Sequence, residues 1–229
     1  MQSNRTDIMP PKRKSMPKRK RASKKKSSTL QLNKEEIEST PNGQTNSSPS
    51  EEQKEQTNTS YVTLNEGPQQ EFIDAPEREV LYGGAAGGGK SFALLIDPLR
   101  YCQHADHSAL ILRRTNDELR ELIHKSTELY PKFYRGAKWS ERKSQWTFPS
   151  GARIWLTYLE QDKDVLRYQG QSFSYVGFDE LTQYPTAFPW DYLRSRLRST
   201  NPEIKVYMRA TTNPGGPGHS WVKKMFIDP

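Results

Sequence analysis

Residues 80–92 read VLYGGAAGGGKSF, with five glycines among the nine positions from Gly83 to Ser91. Glycine loses more backbone entropy on ordering than any other residue. A cluster of this kind therefore marks either a segment that never orders or a backbone that must approach a ligand more closely than a Cβ allows. The flanks decide for the second reading. EVLY before the glycines carries a strand signal and SFALLI after them a helix signal, which a flexible linker would not. From Gly84 onward the spacing fits G-x-x-x-x-G-K-[ST] without mismatch, through Ala85, Ala86, Gly87, Gly88, Gly89, Lys90 and Ser91. Strand, loop and helix in this order turn backbone N–H groups and a helix N-terminus towards one point, a site for phosphate oxygens. Lys90 would reach the β- and γ-phosphates of a nucleotide such as ATP, and the Ser91 hydroxyl would ligate Mg²⁺.

Charge divides the chain in two. The formal net charge is +8, but residues 1–28 hold 11 Lys+Arg against the single acid Asp7, so the remaining 24 basic residues face 26 acidic ones. No aromatic residue precedes Tyr61. Residues 1–60 are too polar to offset their ordering entropy by burial and are expected to form a disordered basic and polar tail. The block PPKRKSMPKRKRASKKK suits a polyanion bound without sequence preference. A solubilising tail and a nuclear-targeting signal remain alternatives for the same residues. Cys102 is the only cysteine, and the four histidines show no metal-ligand spacing. No apolar run approaches membrane-spanning length. The expected place is the cytoplasm of a cell, with no membrane partner.

Residues 61–229 alternate short apolar runs with amphipathic ones. SALILRR (108–114) reads as a buried strand and NDELRELIHKSTELY (116–130) as a helix capped by Thr115. Alternating aromatics over 137–159, with Pro149-Ser150-Gly151 as a turn, predict a β-hairpin or small meander. FSYVGFDE (173–180) and KVYMRATTN (205–213) are further strands, and residues 186–199 are mostly helical. The pattern predicts an α/β fold, a P-loop NTPase with a mainly parallel central sheet flanked by helices and a β-hairpin insertion. Pro98 falls two turns into the helix after the loop, where a kink or a break is expected.

Hydrolysis needs more than a phosphate loop. Asp179 and Glu180 close the strand YVGF, where a metal-coordinating acid and a water-activating acid are wanted. Asp179 would join Ser91 on Mg²⁺, and Glu180 would act as general base. Thr211, Thr212 and Asn213 end the last strand; on spacing alone they read as turn chemistry before Pro214-Gly215-Gly216.

Together, EVLYGGAAGGGKS, LILRRTNDEL, FPSGARI, RYQGQSFSYVGFDELTQYP, SRLRS and RATTNPGGPGHSWVKKMF resemble, in order and style, the ATPase domain of tailed-bacteriophage terminase large subunits, over about residues 65–229. The resemblance implies ATP hydrolysis driving translocation of viral double-stranded DNA into a procapsid. It implies a homo-oligomeric ring, with portal protein and small terminase subunit as partners. It gives Gln69 or Gln70 contact with adenine. Thr211, Thr212 and Asn213 become the motif that couples hydrolysis to movement, with Thr212 and Asn213 at the nucleotide. It also implies an arginine supplied by a neighbouring subunit, for which Arg167 is the first candidate and Arg196 or Arg198 the second; plain surface charge is the alternative for each. The family's RNase-H-like nuclease domain has no room here, so DNA cleavage is not expected of these residues. Alternatives to the motor are a non-catalytic or truncated nucleotide- or DNA-binding protein and another P-loop ATPase of helicase type.

Overall fold

The computed structural model describes residues 67–85 and 87–228. The expected tail and the place of Ala86 in the phosphate loop lie outside the described residues.

Seven strands form one sheet: β1 (Glu79–Gly83), β2 (Ser108–Arg113), β3 (Lys138–Ser140), β4 (Gln145–Thr147), β5 (Arg153–Tyr158), β6 (Tyr175–Phe178) and β7 (Tyr207–Thr212). Their order is β1-β7-β6-β2-β5-β4-β3. The first five in that order pair in parallel, while β5, β4 and β3 form an antiparallel meander at one edge. The expected parallel sheet and hairpin insertion are thus both present, and β5 belongs to both.

The central strands are apolar on both sides, as strands covered on two faces must be. Ala109, Ile111, Tyr175 and Tyr207 pack under α1 (Pro68–Asp74), α2 (Lys90–Ile96) and α3 (Asn116–Phe133), meeting Phe72, Leu94, Leu95, Leu122 and Tyr130. On the other face Leu110, Leu112, Val176, Phe178, Met208 and Ala210 pack with Val165 of a 3₁₀ segment (Asp162–Tyr168). They also meet Trp190 and Leu193 of α4 (Phe188–Arg194) and Val222 of α5 (His219–Phe226). Thr115 caps α3 through a capping box: its Oγ1 accepts from the Glu118 N–H at 3.4 Å, and the Glu118 carboxylate accepts from the Thr115 N–H at 3.3 Å.

Pro98 has the effect expected of it. The α-helix stops at Ile96 and the chain tightens into a 3₁₀ turn, Asp97–Tyr101, with Pro98 in its first turn. The N–H that proline lacks would have served the Leu94 carbonyl. That carbonyl accepts instead from the Tyr175 hydroxyl at 3.2 Å, and Leu95 accepts from Tyr130 at 3.0 Å. Two core tyrosines thereby let the helix end inside the protein.

Candidate nucleotide site

The C-terminal ends of β1, β7, β6 and β2 lie side by side and carry the polar residues of the site. β7 separates the strand of the phosphate loop from the strand of the acids. Gly87 and Gly89 adopt φ of 85° and 68°, where an L side chain costs roughly 1–2 kcal/mol. Glycine is needed there for backbone shape. Three side chains hold the loop. Tyr82 Oη donates to Gly88 O at 2.9 Å and Gln69 Nε2 to Gly89 O at 3.0 Å. The buried Lys90 donates through Nζ to Gly84 O at 3.1 Å and Ala85 O at 2.7 Å. Of the two candidate glutamines, Gln69 is buried at the loop, while Gln70 is half-buried and donates to the exposed Asp74 at 2.6 Å.

Periodicity places the acids. Gly177 and Asp179 face α2, whereas Val176 and Phe178 face α4. A Cβ on Gly177 would lie 3.2 Å from Leu94 Cδ1 and 3.1 Å from the Tyr175 ring, so glycine lets α2 sit close against the sheet. The first turn of α2 then brings Ser91 Oγ to 3.1 Å from Asp179 Oδ1. Thr211 Oγ1 donates to the same oxygen, and Arg113 Nε lies 2.7 Å from Oδ2. Asp179 has no solvent exposure, so its charge is answered within the protein, as a buried charge must be.

Ser91 and Asp179 suit Mg²⁺ by donor type and by spacing. Both offer oxygen, and adjacent ligands of an octahedral Mg²⁺ at 2.0–2.1 Å stand roughly 2.9 Å apart, close to their 3.1 Å separation.

Glu180 is held differently. Its backbone is left-handed, with φ 54° and ψ 56°, a geometry that costs a non-glycine residue of order 1–3 kcal/mol and collects at functional sites. Asn213 grips its carboxylate twice, the backbone N–H at 3.1 Å from one oxygen and Nδ2 at 2.8 Å from the other. Thr212 faces away from the acids: its hydroxyl lies 2.8 Å from that of Thr182. The end of β7 is therefore divided, with Thr211 and Asn213 on the acidic pair and Thr212 on the segment after it.

A family model for the N-terminal part of the terminase large subunit, T4-like-virus type, matches residues 81–229. The chain belongs to this family. Among solved structures, the large terminase of a thermophilic bacteriophage is similar at 17% identity and a TM-score of 0.53, over 70% of this chain and 42% of that one. The same phage protein in complex with ATP-gamma-S matches at 19% identity and 0.52, over 70% and 41%. The ATPase domain of the Thermus phage P74-26 large terminase matches at 12% identity and 0.51, over 66% of each chain. This chain thus spans less than half the length of the first of these terminases. No match is found among curated protein sequences.

In this large-terminase chain the candidate trans arginines stand away from the chain's own phosphate loop. Arg167 belongs to the 3₁₀ segment beyond β5, two strands from β6. It donates to the Tyr158 carbonyl and to Thr157 Oγ1 (3.2 Å) and lies over the Tyr168 ring. Arg196 stacks on Tyr192 at 4.7 Å, and Arg198 Nε donates to Ser172 Oγ at 2.8 Å. Sequence reasoning missed Arg113, which sits in register beside Asp179: the Leu112–Phe178 pair precedes them, and the Asp179 N–H continues the ladder to Leu112 O at 2.9 Å.

Proposed function

We propose that the chain is an ATP-hydrolysing module whose turnover drives double-stranded DNA of a virus into a procapsid. The observation that supports this most directly is the convergence of Ser91, Asp179 and Glu180 beside the phosphate loop, with Ser91 and Asp179 3.1 Å apart. The loop amides and Lys90 bind the phosphates of ATP and offset the charge that builds on the γ-phosphoryl oxygens. Glu180 takes a proton from the water that attacks the γ-phosphorus as the bond to the bridging oxygen of ADP breaks. Mg²⁺ held by Ser91 and Asp179 would neutralise phosphate charge at the same place. Asn213 donates to both oxygens of Glu180, and so sets the aim and the basicity of the carboxylate that accepts the proton. The residue at the end of β7 is thereby tied to the step that consumes water, in keeping with its reading as a coupling residue.

The proposal includes a ring of identical subunits in which Arg167, Arg196 or Arg198 of one serves the nucleotide of the next. An arginine supplied in this way is worth about 10³–10⁵ in rate. Portal protein, small terminase subunit, the host cytoplasm as location and a DNA-holding role for residues 12–26 belong to the same proposal.

Steady-state ATP hydrolysis with Mg²⁺ over a wide range of protein concentration tests it. A rate per subunit that climbs with concentration and disappears in Glu180→Gln supports a ring with shared sites. No hydrolysis at any concentration, with or without DNA, overturns it.

A further inference from the structure

Asp179 presents a problem of orientation. A carboxylate turns about a broad, nearly two-fold torsion, and its two oxygens are chemically equivalent until the surroundings distinguish them. Here the distinction is complete. Ser91 Oγ, at 3.1 Å, and Thr211 Oγ1 both meet Oδ1. Arg113 Nε meets Oδ2 at 2.7 Å. Arg113 can do this because β2 and β6 run parallel and in register, so the residues one step beyond Leu112 and Phe178 project from the same face of the sheet. Its side chain is nearly as buried as that of its partner, 9% against 0% exposed. The next residue, Arg114, projects to the opposite face, where it pairs with Asp162 at 2.8 Å. Arg113 alone of the two is therefore available to the acid.

We propose that Arg113 is a positioning residue for the cation that accompanies the nucleotide: by holding Oδ2 it leaves Oδ1 as the oxygen turned to Ser91. The inference rests on the ATPase reading above. Without the guanidinium, Asp179 would rotate, exchange its oxygens between Ser91 and Thr211, and lose the fixed 3.1 Å spacing that suits Mg²⁺. Partners that orient metal ligands are worth about 10–100-fold in metal affinity.

The test is titration of the 229-residue chain with a fluorescent ADP analogue, in Mg²⁺ and in EDTA, for wild type, Arg113→Gln, Asp179→Asn and the double variant. Expected is a wild type bound more tightly in Mg²⁺ and an Arg113→Gln variant that loses about 10–100-fold of that gain while keeping its affinity in EDTA. A purely structural role would lower the melting temperature and leave the Mg²⁺ gain of the folded protein intact; that result overturns the inference. Should Arg113→Gln not fold, Asp179→Asn and the double variant decide, since the double variant leaves neither charge of the buried pair alone. Equal Mg²⁺ gains in these two support an action through Asp179, and a further loss in the double variant overturns it. Absence of any nucleotide binding by the wild type is a different failure, that of the ATPase reading itself.

Discussion

Two fully buried aspartates lie at opposite ends of the sheet, each paired with an arginine from a central strand. Asp97, just beyond α2, has Arg209 Nε at 3.3 Å and Arg100 at 2.7 Å. Asp179, at the end of β6, has Arg113 at 2.7 Å. The remainder of each environment differs. Arg209 spends its other nitrogens on the carbonyls of Ala75, Glu77 and Met208, tying the connection between α1 and β1 to β7. Burial raises the Asp97 carboxyl above its ordinary range, and Arg100 and Arg209 pull it back. Asp179 instead shares an oxygen with two hydroxyls beside the phosphate loop. The same ion pair is thus a closed clamp at one end and part of the candidate nucleotide site at the other. A buried Arg–Asp pair says nothing of function until the remaining lone pairs and N–H groups have been followed.

The contrast can be broken most directly at the open end. Glu180→Gln is expected to lower ATP turnover by about 10²–10⁴-fold, with nucleotide affinity and melting temperature unchanged; a fall in stability instead would show that this end is a clamp too. At the closed end, Arg209→Ala leaves Asp97 buried without its strand partner and should cost about 3–5 kcal/mol in urea unfolding, with nucleotide affinity per folded molecule intact. His107 sharpens the same distinction by pH. Burial, opposed by the Pro98 carbonyl, pushes its pKa from 6.5 down to about 4. The unfolded chain therefore binds the proton that the folded one refuses, so stability is present above pH 6.5 and lost as pH falls towards 4. The loss is about 3 kcal/mol, and His107→Gln should remove that leg of the unfolding profile. Smallest is Gly177→Ala, whose new methyl meets Leu94 and Tyr175. It should cost about 1–3 kcal/mol and also weaken Mg²⁺-dependent nucleotide binding, because it lifts α2 from the sheet.

Local signals were legible in the sequence. The phosphate loop, the Thr115 cap, the Pro149–Gly151 turn and the break at Pro98 each depend on residues within one or two turns of one another. The place of Asp179 and Glu180 at the end of a strand was legible because they close an apolar run. What required the fold was register and facing. Arg113 lies far upstream of Asp179 in the chain, and only the parallel pairing of β2 with β6 shows that they meet. The resemblance assigned Thr211, Thr212 and Asn213 as one motif, yet strand alternation sends Thr211 and Thr212 to opposite faces. Likewise either Gln69 or Gln70 suited the sequence, and helix phase takes only the first to the loop.

The PGGPG run after β7, which the sequence marks as a turn, has a second property. A Cβ on Gly216 would stand 2.7 Å from the Thr182 carbonyl oxygen, and one on Gly218 2.1 Å from that of Tyr184. The Gly218 N–H donates to Thr182 O at 2.8 Å, and Trp221 Nε1 to Tyr184 O at 2.8 Å. Two stretches of backbone, one leaving Glu180 and one leading into α5, therefore touch directly at Gly216 and Gly218, with the Trp221 indole bonded across the same contact. Side-chain layers absorb displacement by changing rotamer; two touching main chains cannot. A shift of the Glu180 segment would reach the first turn of α5 with almost no slack, as through a rigid coupling rather than a spring.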